Sequence, residues 1–336
     1  MGSRQAPRSE ATEALFHLNR RREQGKELSL VREEFGRQPL AGSAVQRAVT
    51  TGAPALGDGV QECWMDFDGA RLRYLRAGSG PPLVLLHGLM GYSFSWRFAM
   101  PCLAPFRTCF ALDMLGAGFS DRPKIDHSMR ATALRVLKFV ENLGFDSFDL
   151  LGTSRGGAVS MSAAAECLGG GHPHIRSLIL VAPVNPYSRH GRRLAPFCGS
   201  RFGSAIVRPV LEQFPSMYPF WHGRMFADPA KIPADSLPGY KAPLIIPGLF
   251  EHGLSIVKTW SSDLRELEEL LPSLQGIPTL LMWGTKDPAV HFSSMAPLAK
   301  HFPGAETVVF EGVGHLPYEE CAEEFNRAVI AFLKKR

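Results

Sequence analysis

The chain has 336 residues, 45% of them hydrophobic and 21% charged, the composition of a globular protein with a sizeable core. No apolar run approaches the roughly 20 residues that cross a bilayer, and Met1 to Asn19 lacks the apolar segment of a secretory signal. A net charge of +5 without a nucleic-acid-binding motif excludes a nucleic-acid partner, and six cysteines with no Cys-x-x-Cys pair exclude a zinc or disulfide framework, so the chain reads as cytoplasmic and reduced.

Residues 1–59 read as an N-terminal extension. A ragged helical period runs from Glu10 to Phe35, Arg20-Arg21-Arg22 reads as a solvated face, and Leu40 to Gly59 reads as a linker or wrapping arm. The compact part begins near Cys63. Trp64 to Phe67 and Arg71 to Leu75 form a hairpin turning at Asp68-Gly69. Pro82 to Leu86 is an all-apolar strand, as expected when both faces are buried, and ends in His87-Gly88-Leu89-Met90-Gly91. Thr108 to Leu112 is the next strand, followed by Asp113-Met114-Leu115-Gly116-Ala117-Gly118-Phe119-Ser120. A helix from Met129 to Leu143 leads to the strand Phe148 to Leu151, and a strand from Arg176 to Val181 completes residues 60–183. Strands alternating with helices predict an α/β fold, a mostly parallel sheet with helices on both faces.

Residues 184–262 break the rhythm. They are rich in Pro, Arg and aromatics, show no buried strand, and read as a helical cap inserted over the strand ends. Nine Lys/Arg stand there against four Asp/Glu, Arg189, Arg192 and Arg193 among them, a surplus that suits solvated surface or an anionic or carrier-bound substrate. The alternation resumes in residues 263–336: helix Asp263 to Leu271, strand Pro278 to Trp283, helix Ser293 to His301, strand Glu306 to Phe310, and a closing helix from Tyr318 to Lys335.

Three residues just past strand ends carry the chemistry. Gly152-Thr153-Ser154-Arg155-Gly156 joins an apolar strand to a helix rich in small residues, the layout that holds a serine Oγ clear of a sheet. A serine hydroxyl is a weak nucleophile and needs a base, which needs an orienting acid. Asp287 follows the strand ending at Trp283, and His315 the strand ending at Phe310. Alone, Asp287 before Pro288 fits a turn, His315 fits a surface loop, and the Gly-x-Ser-x-Gly fits chance. Their joint placement in the order Ser, Asp, His argues for catalysis.

With His87-Gly88, Asp113-x-x-Gly116-x-Gly118-x-Ser120, Gly152-x-Ser154-x-Gly156-Gly157, Trp283-Gly284-x-x-Asp287-Pro288 and Gly314-His315, the chain from Cys63 to Arg336 resembles the α/β-hydrolase-fold serine hydrolases with a cap. The resemblance implies an eight-stranded-type sheet, a catalytic Ser154, Asp287 and His315, and an oxyanion hole from the backbone N–H groups of Leu89 and Arg155. It implies that His87 positions the oxyanion loop and that no metal or organic cofactor takes part. Relatives that open epoxides or displace halides carry Asp where this chain has Ser154, and the multi-glycine oxyanion loop of one esterase group is missing at Leu89-Met90. The expected activity is hydrolysis of a carboxylic ester of a largely apolar small molecule, with Met90, Phe94, Trp221, Phe226 and Leu316 as the substrate pocket. The same triad also suits a carbon–carbon bond hydrolase or thioesterase, and the fold suits a ligand-binding receptor with little turnover. A homo-oligomer formed through the cap or the extension is the partner reading that remains open.

Overall fold

The computed structural model describes residues 54–67, 69–170, 173–188 and 195–336. The helix from Glu10 to Phe35, most of the linker, Asp68 of the hairpin turn, and Arg189, Arg192 and Arg193 lie outside them.

Eight strands form one sheet: β1 (Gln61–Phe67), β2 (Ala70–Ala77), β3 (Pro82–Leu86), β4 (Thr108–Leu112), β5 (Ser147–Thr153), β6 (His174–Val181), β7 (Thr279–Gly284) and β8 (Glu306–Phe310). Their order is β1-β2-β4-β3-β5-β6-β7-β8. β1 pairs antiparallel with β2 and β2 with β4, and every later pairing is parallel. The helices are α1 (Met100–Leu103), α2 (Met129–Asn142), α3 (Arg155–Leu168), α4 (Ala195–Gly199), α5 (Arg201–Glu212), α6 (Phe214–Gly223), α7 (Ser236–Lys241), α8 (Leu249–Leu270), α9 (Met295–Ala299), α10 (Pro317–Glu320) and α11 (Ala322–Leu333).

The central strands are buried on both faces, so their side chains sort by parity into two cores. Val84, Leu86, Phe110, Leu112, Leu150, Leu178, Leu180, Leu281 and Trp283 face one core with Val136 and Val140 of α2 and Val159 and Ala163 of α3. Leu83, Leu85, Cys109, Ala111, Leu151, Ile179, Val181, Leu280 and Met282 face the other, with Met100 and Leu103 of α1 and Phe325, Val329 and Phe332 of α11. Each such large side chain contributes about 1.5–3 kcal/mol relative to exposure. A buried carboxylate fixes the start of β5. Asp149 accepts from Arg107 Nε at 2.9 Å and Ser177 Oγ at 2.8 Å, and Arg176 completes its shell, which ties β5 to β4 and β6.

Two features place a crevice above the sheet. The strand order reverses around β3, with β4 on one side and β5 on the other, so the loops leaving β3 and β5 part there. That gap at the carboxyl ends is where open α/β sheets bind ligands. Between β6 and β7 the described residues form helices α4 to α8 with short 3₁₀ turns and no strand. A third apolar cluster of Tyr92, Phe94, Phe119, Tyr218, Tyr240 and Leu244 packs this insertion onto the loops leaving β3 and β4. The compositional change at Ser262 has no counterpart in the backbone, because α8 runs unbroken from Leu249 to Leu270.

Candidate active site

The strand-to-helix turn at Ser154 is sharp. Thr153 ends β5, Arg155 begins α3, and Ser154 between them has φ 52° and ψ −121°. A non-glycine residue at positive φ is strained and needs its surroundings to hold it there. Here the end of β6 does so: Ser154 N donates to Val181 O at 2.9 Å, and Val184 N donates to Ser154 O at 2.9 Å. The flanking glycines are steric necessities. A Cβ on Gly152 would stand 2.3 Å from Ser160 Oγ, and one on Gly156 would stand 2.4 Å from Leu86 O. The turn therefore closes only with hydrogen at both positions.

Asp287 and His315 meet across two neighbouring loops. Asp287 Oδ1 accepts from the N–H groups of Ala289 (2.7 Å) and Val290 (2.8 Å), so the residue is also the turn former that its place before Pro288 suggests. Its Oδ2 accepts from His315 Nδ1 at 2.7 Å, with the carboxylate fully enclosed. This bond puts the imidazole proton on Nδ1 and leaves Nε2 as the basic nitrogen. Lys286 N donates to Val313 O at 2.9 Å, which ties the two loops together. The insertion holds the histidine from the other side, where His315 N donates to Met225 O at 2.7 Å. Glu320 accepts from the N–H groups of Gly314, Ala227 and Asp228 at 2.8, 3.1 and 3.0 Å, bridging the same two segments.

The loop after β3 turns tightly over Ser154. Gly91 N donates to Gly88 O at 3.1 Å, and Met90 takes φ 63°. Gly88 lies against the serine, since a Cβ there would be 3.0 Å from Ser154 Cβ. Both ring nitrogens of buried His87 are engaged by backbone: Nδ1 donates to Gly88 O at 2.8 Å, and Nε2 accepts from Met114 N at 3.1 Å. Burial lowers its pKa to about 4. The Asp113 motif is a clamp on this loop. Asp113 Oδ1 accepts from Ser93 N at 2.8 Å, and Oδ2 accepts from Phe119 N at 2.9 Å and Arg73 Nη1 at 3.1 Å.

A cavity of about 380 Å³ opens above the turn. Ser154, His315, Leu89 and Arg155 border it, and so do Met90, Trp221 and Leu316. Phe94 and Phe226 do not. Phe94 stacks on Tyr92 at 5.7 Å under the Arg97 guanidinium, and Phe226 lies in the core with its ring 5.3 Å from His222. Both are buried aromatics near the site whose rings are consumed by packing. The cavity wall also includes Val184, Phe214, Tyr218, His222, Met225, Tyr240, Trp260, Val290 and Tyr318, which came forward in the sequence only as aromatics of an insertion or not at all.

Arg155 lends its side chain to the scaffold. It is buried, with Nη2 donating to His127 O and, at 3.3 Å, to Thr132 Oγ1, and burial lowers its pKa to about 10. As the first residue of α3 its backbone N–H has no partner inside the helix. Among the described residues no group of three or more His, Cys, Asp or Glu is arranged to hold a metal ion, and no helix is long and apolar enough to cross a membrane.

The model of the alpha/beta hydrolase fold family matches residues 81–322. The chain belongs to the alpha/beta hydrolase fold family. It is 30% identical over 270 residues to the dihydrolipoyllysine-residue acetyltransferase component of an acetoin cleaving system from Pseudomonas putida, covering 80% of this chain and 68% of that protein. It is 28% identical over 283 residues to haloalkane dehalogenase 2 of Mycobacterium tuberculosis, covering 80% and 93%. The solved structure of the haloalkane dehalogenase DatA from Agrobacterium tumefaciens superposes with a TM-score of 0.71 at 20% identity, covering 83% of this chain and 98% of that one. The fold is thus shared with proteins named for different activities.

Proposed function

We propose that this member of the family is a serine hydrolase that cleaves the carboxylic ester of a largely apolar small molecule. The observation that carries the reading is the Asp287–His315 bond, which fixes the imidazole tautomer beside a cavity that Ser154 borders. In this reading His315 Nε2 takes the Ser154 proton as Oγ attacks the carbonyl carbon. The N–H groups of Arg155 and Leu89 receive the oxyanion. His315 then returns the proton to the leaving alkoxide, and the acyl-enzyme is hydrolysed by a water that His315 deprotonates. Displacement of a halide from an alkyl carbon suits this site poorly, because a serine would be left as an ether that water does not cleave.

Met90, Val184, Phe214, Trp221, Met225, Trp260, Val290 and Leu316 supply the apolar wall that favours such a substrate. Residues 184–262 act as its cap, residues 60–183 and 263–336 as the hydrolase core, and residues 1–59 as an extension. The test is turnover of a p-nitrophenyl ester series from acetate to dodecanoate. The expected result is a burst of nitrophenol stoichiometric with enzyme and a preference for a mid-length chain. A folded protein that turns over no ester of the series would refute the reading.

A further inference from the structure

Glu319 lies four residues past His315, with its side chain fully enclosed where the loop after β8 meets the insertion. Its carboxylate accepts four bonds. Oε1 receives the Tyr240 hydroxyl at 2.6 Å and Arg97 Nη1 at 2.9 Å, and Oε2 receives the Ser236 hydroxyl at 2.6 Å and Arg97 Nη2 at 3.1 Å. Each hydroxyl has one proton, and both are spent on Glu319. The direction of the next bonds follows. Ser95 Oγ, 3.0 Å from Tyr240 Oη, donates there. Ser236 Oγ, 2.9 Å from His222 Nε2, must accept, so His222 carries its proton on Nε2. The acid here touches the serine rather than the histidine, so Ser236 is a fixed donor and not a second nucleophile. Burial lowers the pKa of His222 against the opposing pull of Glu319, which keeps the ring neutral. With Nε2 committed to Ser236, Nδ1 holds the acceptor lone pair.

His222 borders the same cavity as Ser154 and His315, boxed by the rings of Tyr218, Phe226 and Tyr240 at 5.8, 5.3 and 5.6 Å. The protons of Tyr240 and Ser95 are already spoken for, so neither of these hydroxyls donates to His222 Nδ1, which is left as an acceptor. Filling the cavity with a wholly apolar molecule would strip that acceptor of water without replacing the bond. On the basis of the hydrolase reading above, we propose that His222 determines specificity by accepting, through Nδ1, a hydrogen bond from a hydroxyl on an otherwise apolar ester.

The probes are methyl hexanoate, the methyl hydroxyhexanoates with the hydroxyl at each chain position, and the matching ketones. Binding to Ser154→Ala is measured by calorimetry and kcat/KM on the parent chain. The best hydroxy ester is expected to bind about tenfold tighter than methyl hexanoate and than its own ketone, with the same preference in kcat/KM. His222→Phe, or His222→Leu if the former does not fold, should erase that ratio. His222→Gln, which keeps one donor for Ser236 and one acceptor, should retain it. No preferred hydroxyl position, or a preference that survives His222→Phe, would overturn the proposal. Fluorophosphonate labelling of the parent separates the two readings: a hydroxyl preference without labelling sinks the hydrolase and keeps the acceptor, and labelling without a preference does the reverse.

Discussion

Replacing His87 by Gln should flatten the loss of stability that acid brings. His87 is 2% exposed, and its Nε2 accepts from Met114 N, so a second ring proton would oppose two donors and cost that bond. Burial lowers its folded pKa to about 4, from an ordinary value of 6.5. The unfolded chain therefore takes up the proton first as acid is added. The contribution to stability is complete above about pH 6.5 and is lost as pH falls toward about 4. At about pH 5 linkage gives a loss of ~2 kcal/mol from this one residue. Gln presents an acceptor to Met114 and a donor to Gly88 and does not titrate, so the variant escapes this loss. Burial also shifts His127, His222 and Asp263, but these groups are the same in both proteins and cancel in the comparison. Urea unfolding of parent and variant at about pH 7 and about pH 5 measures the double difference, expected near 2 kcal/mol. Parallel losses in the two proteins would refute the assignment of His87 as a neutral, backbone-bound ring.

Asp287→Asn should fold normally and lose about 10⁴-fold in ester kcat, because the amide no longer holds the His315 proton on Nδ1; steady-state kinetics with circular dichroism as a control checks this. Glu320→Ala should cost roughly 2–4 kcal/mol and lower kcat as well. It strips the backbone donors of Gly314, Ala227 and Asp228 of their common acceptor, one of them next to His315. Denaturant unfolding and turnover of the same variant measure both effects.

Much of the sheet was legible because its strands are short apolar runs between turn signals. Pro82–Leu86, Thr108–Leu112 and Glu306–Phe310 fall where the runs do. The helices were harder to read. α8 reaches back to Leu249, well before the apolar pattern at Asp263 begins, because only Ile256 on its first turns is buried and the rest gives no stripe. The closing helix breaks at Cys321, which has φ −140°. Glu319 and Glu320 point inward to tie down the insertion, and an uninterrupted solvent-facing helix would have placed such residues outside. Ser154, Asp287 and His315 announce themselves because each sits in a glycine-marked turn after a strand. The cavity wall does not. Its residues come from the loop after β3, the insertion, and the loops after β7 and β8, and no local pattern separates Trp221, which borders it, from Phe226, which packs into the core.

The central claim is an activated serine at position 154. Intact mass spectrometry after exposure to a fluorophosphonate tests it most directly, with the parent chain and Ser154→Ala side by side. One adduct per chain is expected on the parent and none on the variant. A folded parent that stays unlabelled, or a variant that labels as well as the parent, would contradict it.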